Sequence, residues 1–426
     1  MSIQIKQECA PLMPVYNELN HLVNSSNYGQ ANFKYVCDVY VNGSANYVTR
    51  LMVPPHPSYG TALFNPARII ESYLSKDIDL TTYGFGANSN SYASYILKFG
   101  ESYGASSSGA TVYPNQTITG TKYVWNGIYD FEDFVNYSSG TINAGTSSCK
   151  FLTNRPSSGD IEFTDNAWLY MNSITSGTID YAYIVTKDSS NVTINTAKVN
   201  NPYKASNRFY RFSAGPNNIN QILPANITLG AQPIINSTDY AYTIQMFNAS
   251  NVAVTEQYRF TINSPCTKYE KYRIHFLNKL GGYDSFTFSK INRFTTDVKR
   301  ENYKQNLGAY AGLYDYGYSV SQRASTQYDT KITDSITCQS DWLTEAQMVW
   351  LEELITSPDV YVEKSGTLVP INITTAKHER KKQVNDKLFN LTLEFTYSYN
   401  RYRQRDRKST RLNSSHVSES RMPSSA

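Results

Sequence analysis

The side chains that could do chemistry are sparse in this chain, and their spacing does not favour it. Four of the five histidines, His21, His56, His275 and His378, lie ahead of the last 21 residues. None has the H-x-x-x-H spacing that puts two imidazoles on one helix face around a metal. His378-Glu379 lacks the second histidine of a metalloprotease helix and reads as a solvated pair. Asp130, Glu132 and Asp133 form a tight acidic set beside Tyr129. Such a set can hold a divalent cation, because hard cations take several carboxylate oxygens; the commoner fate is a solvated face. Gly84-Phe85-Gly86 opens like a dinucleotide loop, but Ser89 stands at the third glycine position and no long helix follows, so a turn is expected. Neither a G-x-S-x-G elbow nor a Cys/His pairing is present. Cys9, Cys37, Cys149, Cys266 and Cys338 are scattered, odd in number and without C-x-x-C spacing, which argues against a disulfide framework or a zinc site. A carboxylate pair of the glycosidase kind converges only through the fold and leaves no spacing to read. No catalytic residue, cofactor or metal is therefore assigned, and the chain is expected not to be an enzyme.

Binding chemistry has more candidates. Tyr397, Tyr399 and Tyr402 interleave with Arg401, Arg403 and Arg405, a pattern that can stack on and neutralise a single strand of nucleic acid. The tyrosines continue the apolar face of a strand, so core packing is the preferred reading, with the arginines left to meet an acidic neighbouring subunit. Trp125 and Trp168 are candidates for an exposed platform gripping host-surface glycans; the competing assignment, to the core, is preferred.

The composition is that of β-structure. Tyr numbers 36, charged residues are 17%, and Asn, Ser and Thr abound. Such chains make strands with hydroxyl-rich faces and polar turns. Asp406–His416 and Glu419–Ala426 resemble a translated sequencing adapter, so residues 406–426 are expected to be an artefactual, disordered tail. Without that tail the charge is close to balanced, which removes the basic signature of a nucleic-acid partner. Neither a signal peptide nor an apolar run near the ~18 residues needed to span a bilayer is present, so no membrane insertion is expected and synthesis in a cytoplasm is.

The elements that would position these residues are mostly strands. Phe33, Tyr35, Cys37, Val39 and Val41 alternate, and Asn42-Gly43 predicts a turn into Tyr47–Val53. Asn65 and Pro66 predict the start of a short helix over Ala67–Leu74, and Ser91–Phe99 a further strand. Residues 1–122 read as an N-terminal sandwich of immunoglobulin or fibronectin kind, with the polar stretch Ser102–Thr121 as a boundary or long loop. Residues 123–265 read as a second sandwich. In it the hairpins Asp180-Tyr181-Ala182-Tyr183…Ser190-Asn191-Val192 and Asp239-Tyr240-Ala241-Tyr242…Ser250-Asn251-Val252 look duplicated. Residues 266–405 read as a β-rich domain with one packed helix, 344–356. Thr344 and Gln347 predict its capping box, Leu343 and Met348 its staple, Met348, Leu351, Leu354 and Ile355 its apolar stripe, and Pro358 its stop. Strands are expected at Val360–Val362, Thr367–Ile373 and Leu388–Tyr399. The fold class is thus all-β: multi-domain β-sandwiches with a C-terminal domain carrying one α-helix.

Three runs of the C-terminal part resemble a family of tail-associated virion proteins of environmental bacteriophages. They are Lys268–Phe288, Ser340–Glu345 with Trp350–Leu354 and Ser357-Pro358, and Val384–Tyr399; Asn32–Gly60 has the same character. The resemblance implies a virion structural role, in tail or baseplate, made in the host bacterial cytoplasm. It implies partners that are further copies of the chain and other tail proteins. It transfers no catalytic residue. A phage fibre or adhesin binding host glycans is the second reading, and a glycan hydrolase the third. Gly281-Gly282 is expected to make a sharp turn before the strand at Phe286–Phe288.

Overall fold

The computed structural model describes residues 3–76, 78, 81–106, 110–205, 209–263, 268–375, 389–399 and 401. Cys266, His378, Glu379, Tyr402, Arg403, Arg405, the 406–426 tail and the first residues of the Val384–Tyr399 run lie outside them.

The chain is all-β, with its strands in several packed sheets. In the first unit, Ile3–Gln7, His21–Ser25 and Thr61–Phe64 form a three-stranded sheet. It faces a larger sheet in the order Leu12–Pro14, Lys122–Trp125, Tyr92–Tyr103, Lys34–Val41, Thr49–Val53. The period-two pattern of Lys34–Val41 explains the packing: Tyr35, Cys37, Val39 and Val41 turn inward onto Val23, Phe64, Leu97 and Phe99. Asn42 and Gly43 both have positive φ, as a tight turn demands.

Three expectations need correction here. The polar stretch is no long loop: Thr111–Ile118 is a strand paired antiparallel with Tyr92–Tyr103. Its hydroxyl-rich side chains suit an edge strand whose faces stay wet, so polarity misled the reading. The first helix is only Ala67–Glu71, with Pro66 at its N-cap; Asn65 Oδ1 does accept from the Ala67 N–H, at 3.1 Å. Gly84-Phe85-Gly86 is a bend followed by an edge strand, since Phe85–Ala87 pairs with Phe209–Ser213.

That pairing carries the first third of the chain into the second unit. Trp168–Asn172, Phe209–Ser213 and Phe85–Ala87 make one sheet. Opposite it lie Ser158–Glu162, Tyr258–Asn263, Ala241–Phe247, Tyr181–Lys187, Thr193–Asn200 and Ile227–Leu229. The two look-alike segments lie side by side, Tyr181 opposite Phe247 and Lys187 opposite Ala241. Their turns share one design. Asp188 Oδ1 accepts from the N–H groups of Ser190 and Val192, and Asn248 Oδ1 from those of Ser250 and Val252. Asn191 and Asn251 both take positive φ.

The third unit is a seven-stranded sheet in the order Tyr283–Phe288, Tyr272–Leu277, Val360–Lys364, Thr367–Ile373, Thr392–Tyr397, Ser325–Gln339, Asn292–Lys304. The helix Glu345–Thr356 begins at Thr344, whose side chain accepts from the Gln347 N–H in a complete capping box. Leu343, Met348, Leu351 and Leu354 are buried together against the sheet. A fourth apolar cluster joins the units: Leu12 and Trp125 from the first, Leu152, Trp168, Tyr170 and Phe209 from the second, and Leu277, Leu280 and Tyr283 from the third.

Candidate interaction surface

The residues singled out from sequence mostly serve the interior. Trp125 is fully buried and donates from Nε1 to the Leu280 carbonyl at 2.9 Å, and Trp168 is buried too, so neither makes an exposed platform. His21 is enclosed by Tyr95 and Cys9, its Nε2 3.2 Å from the Tyr95 hydroxyl; burial holds its pKa down at about 4. His56 is exposed against Tyr59. Asp130 caps the short helix Phe131–Asn136, and Lys279 Nζ stands 2.6 Å from Asp130 and 2.9 Å from Asp133. The ammonium thus supplies the positive charge that a cation would bring. Among the described residues no group of three or more ligating side chains gathers. Tyr397 is half-buried and Tyr399 exposed, so the buried face of the last strand ends at Phe395. Cys37, Cys149 and Cys338 are buried thiols without disulfides and Cys9 is partly buried, with burial raising all four.

Sequence reading missed a buried polar seam between the second and third units. Arg273, on the strand Tyr272–Leu277, donates from Nη1 to Asp165 Oδ2 (2.9 Å) and Thr287 Oγ1 (2.8 Å), and from Nη2 to the Asn166 carbonyl and Ser285 Oγ (both 2.5 Å). Beside it, His275 Nε2 meets Glu363 Oε2 at 3.0 Å, and Asn166 Nδ2 donates to Glu363 Oε1 at 2.8 Å. Lys271 pairs with Glu162 at 2.7 Å. Further along, Asp284 accepts from Thr153 (2.7 Å) and from Trp350 Nε1 (2.8 Å). Glu353 accepts from Asn154 Nδ2 (2.7 Å) and the Lys279 N–H (3.2 Å). Burial raises both carboxyls, Glu353 to about 7. Chemically, this seam orients two sheets by charge-assisted bonds. The spacing that would have revealed it spans more than a hundred residues, from Asp165 to Arg273.

The second missed feature is an arm. Asn292–Lys304 pairs with Ser325–Gln339 along its whole length, but of the latter the stretch Ser335–Gln339 is flanked by the next strand, Thr392–Tyr397, and Ile332 by a single bridge to Arg401. From Lys299 to Lys304 the ribbon is therefore two strands wide among the described residues. It spans roughly 20 Å at about 3.4 Å per residue. Its faces hold Thr296 to Asp334 at 2.8 Å, Tyr328 to Glu301 at 2.7 Å, and the Tyr303 and Tyr328 rings 6.2 Å apart. The arm ends in a small hairpin, Ala309–Gly312 with Asp315–Gly317. Gly308 has φ +102°, and a Cβ there would lie 2.5 Å from the Tyr316 ring. The tip is apolar and bare: Tyr310 is 79% exposed, Leu313 85%, Tyr314 95%, Tyr318 70% and Val320 100%. The glycine- and tyrosine-rich run Gly308–Tyr318 was its sequence signal.

No family model and no curated protein matches the chain. Among solved structures, the chain is similar to a biofilm-associated protein's BSP domain at 11% identity and a TM-score of 0.17, covering 75% of this chain and 60% of that one. It is similar at the same TM-score and 10% identity to dimeric latent PorU from Porphyromonas gingivalis, covering 79% of this chain and 32% of that one. The chain therefore spans less than two thirds of both. Superposition this loose transfers no site. No helix among the described residues is long and apolar enough to cross a membrane.

Proposed function

We propose that the chain is a structural subunit of a bacteriophage particle, in its tail or baseplate, which acts by assembling with copies of itself and with other tail proteins. The observation that carries this reading is the arm. A two-stranded ribbon has no core of its own and is marginal in water. Clustered apolar side chains exposed at its end are the mark of a surface that gains its stability from a partner. Tyr is suited to that work, since it buries a large area at low entropy cost and keeps a hydroxyl to bond. The runs that resemble tail-associated virion proteins frame the arm: Lys268–Phe288 precedes it and Ser340–Glu345 follows it.

On this reading the units behind the arm are a rigid base. The shared apolar cluster around Trp125, Tyr170 and Leu280 and the seam at Arg273 hold them together, as static, repeated contacts in a particle require. The test has two parts. Mass spectrometry of purified phage particles encoding this chain is expected to find it at a fixed ratio to the other tail proteins; its absence from particles sinks the proposal. Sedimentation of the full chain is expected to show association that is lost when Leu313, Tyr314 and Val320 are all replaced by Ser.

A further inference from the structure

We infer that the outer face of the first unit's large sheet carries a carbohydrate-binding groove, a feature independent of the arm and of assembly. The groove encloses about 740 Å³ and is lined by Tyr40, Tyr92, Tyr123, Asn42, Asn88 and Lys98, among others. That volume falls within the roughly 300–1,000 Å³ of small-ligand sites.

The sheet register builds it. Tyr40 lies opposite Ile96, and Tyr123 opposite Ser94. Directly paired residues share a face, as do alternate residues along one strand. Tyr40, Tyr92, Ser94, Ile96, Lys98 and Tyr123 therefore form one surface, turned away from the core that receives Ala93, Tyr95 and Leu97. An outward sheet face of an ordinary sandwich is charged or small and polar. This one carries three half-buried tyrosines; Tyr92 and Tyr123, their rings stacked 5.7 Å apart at 18°, also rest on the apolar cluster shared by the units, which leaves Tyr40 to face the groove from the other side.

The rim and floor supply directional bonds. Asn42, in the positive-φ turn, is pinned by accepting the Ser94 N–H at 3.0 Å. Asn88 is held through its backbone, whose N–H donates to the Phe209 carbonyl at 3.1 Å. The residue is 1% exposed, and its amide oxygen has no hydrogen-bond partner among the described residues. A buried polar atom without a partner costs free energy, and Asn88 lines the groove, so a ligand polar group that reached its amide would gain a bond.

The lining selects the ligand class. Among the described residues that line it there is no carboxylate and one cation, Lys98, which is spent over the Tyr40 ring at 4.1 Å. A polyanion such as nucleic acid needs several free cations to neutralise phosphates. Aromatic faces are negative and receive the weakly positive C–H face of a sugar ring, while amides and hydroxyls meet its hydroxyls. Together these features fit a neutral oligosaccharide.

The experiment screens the full chain on an array of neutral oligosaccharides and titrates it with soluble chitotriose, maltotriose and xylotriose by isothermal calorimetry. Binding to at least one is expected. It should weaken about tenfold or more in Tyr123→Ala and in Tyr40→Ala, and vanish in Ser44→Trp, which fills the rim from an exposed turn position and leaves the core packing untouched. Circular dichroism checks that each variant is folded. Failure of the wild-type chain to bind any array sugar overturns the inference. So does binding that survives Ser44→Trp, and so does a Tyr123→Ala effect on sedimentation with none on sugar binding, which would make the face a protein contact.

Discussion

The seam around Arg273 and the tip of the arm are opposite solutions to the placement of polar and apolar groups. At the seam, charged side chains are sunk among sheets and satisfied: Arg273 spreads its donors over Asp165, Asn166, Ser285 and Thr287. At the tip, apolar side chains stand in water, Tyr314 and Val320 almost bare. The first arrangement makes most of its bonds within the chain, so its worth is read as stability. The second leaves its surface unfinished, so its worth is read only against another molecule.

That contrast can be broken by substitution. The largest effect is expected at Arg273→Ala, which leaves the buried Asp165 without its ion-pair partner and should cost about 3–5 kcal/mol in chemical denaturation. A loss below about 1 kcal/mol would mean that the seam is ornamental. Next comes pH. Glu353 is raised in the folded chain, to about 7, so the protonated form is the one the fold prefers. Its contribution is present below the ordinary carboxyl range near 4.5 and is lost as pH rises through about 7. Glu353→Gln, which mimics the protonated state, should flatten this slope and leave the variant more stable than wild type at pH 8, by up to about 3 kcal/mol. Parallel melting curves of the two proteins at pH 5 and pH 8 make the check, and an unchanged slope would refute the assignment.

A smaller loss is expected at Thr344→Ala, about 1 kcal/mol, because the cap satisfies the Gln347 N–H at the helix start. The smallest effect on stability belongs to the tip. Tyr314→Ser and Val320→Ser should change the unfolding free energy by no more than about 0.5 kcal/mol while weakening association in sedimentation. A large stability loss there would show that the tip packs within its own chain.

Legibility in the sequence followed the range of the interaction. Local chemistry was readable: the Thr344 capping box, the Asn42-Gly43 turn and the alternating strand at Tyr35–Val41 each depend on neighbours a few residues away. The twin segments at Asp180 and Asp239 were legible as a repeat, but not as partners in one sheet. Long-range placement was not readable. Nothing local marks Phe85–Ala87 as an edge strand for residues beyond 200, or Lys279 as the charge between Asp130 and Asp133. Polarity also misled at Thr111–Ile118, where an edge strand wears the composition of a loop. The arm went unread because its strands, wet on both faces, lack the alternation that marks a half-buried strand.

The strand Phe85–Ala87 has a further consequence. It belongs by sequence to the first unit and by hydrogen bonding to the second, where it covers the free side of Phe209–Ser213. A fragment cut anywhere between residues 88 and 208 separates that strand from its sheet and bares a ladder of unpaired amides, an aggregation hazard. The halves are expected to aggregate when produced as separate pieces or exchanged singly with those of a relative. Recombination that respects folding must take this region as one indivisible block.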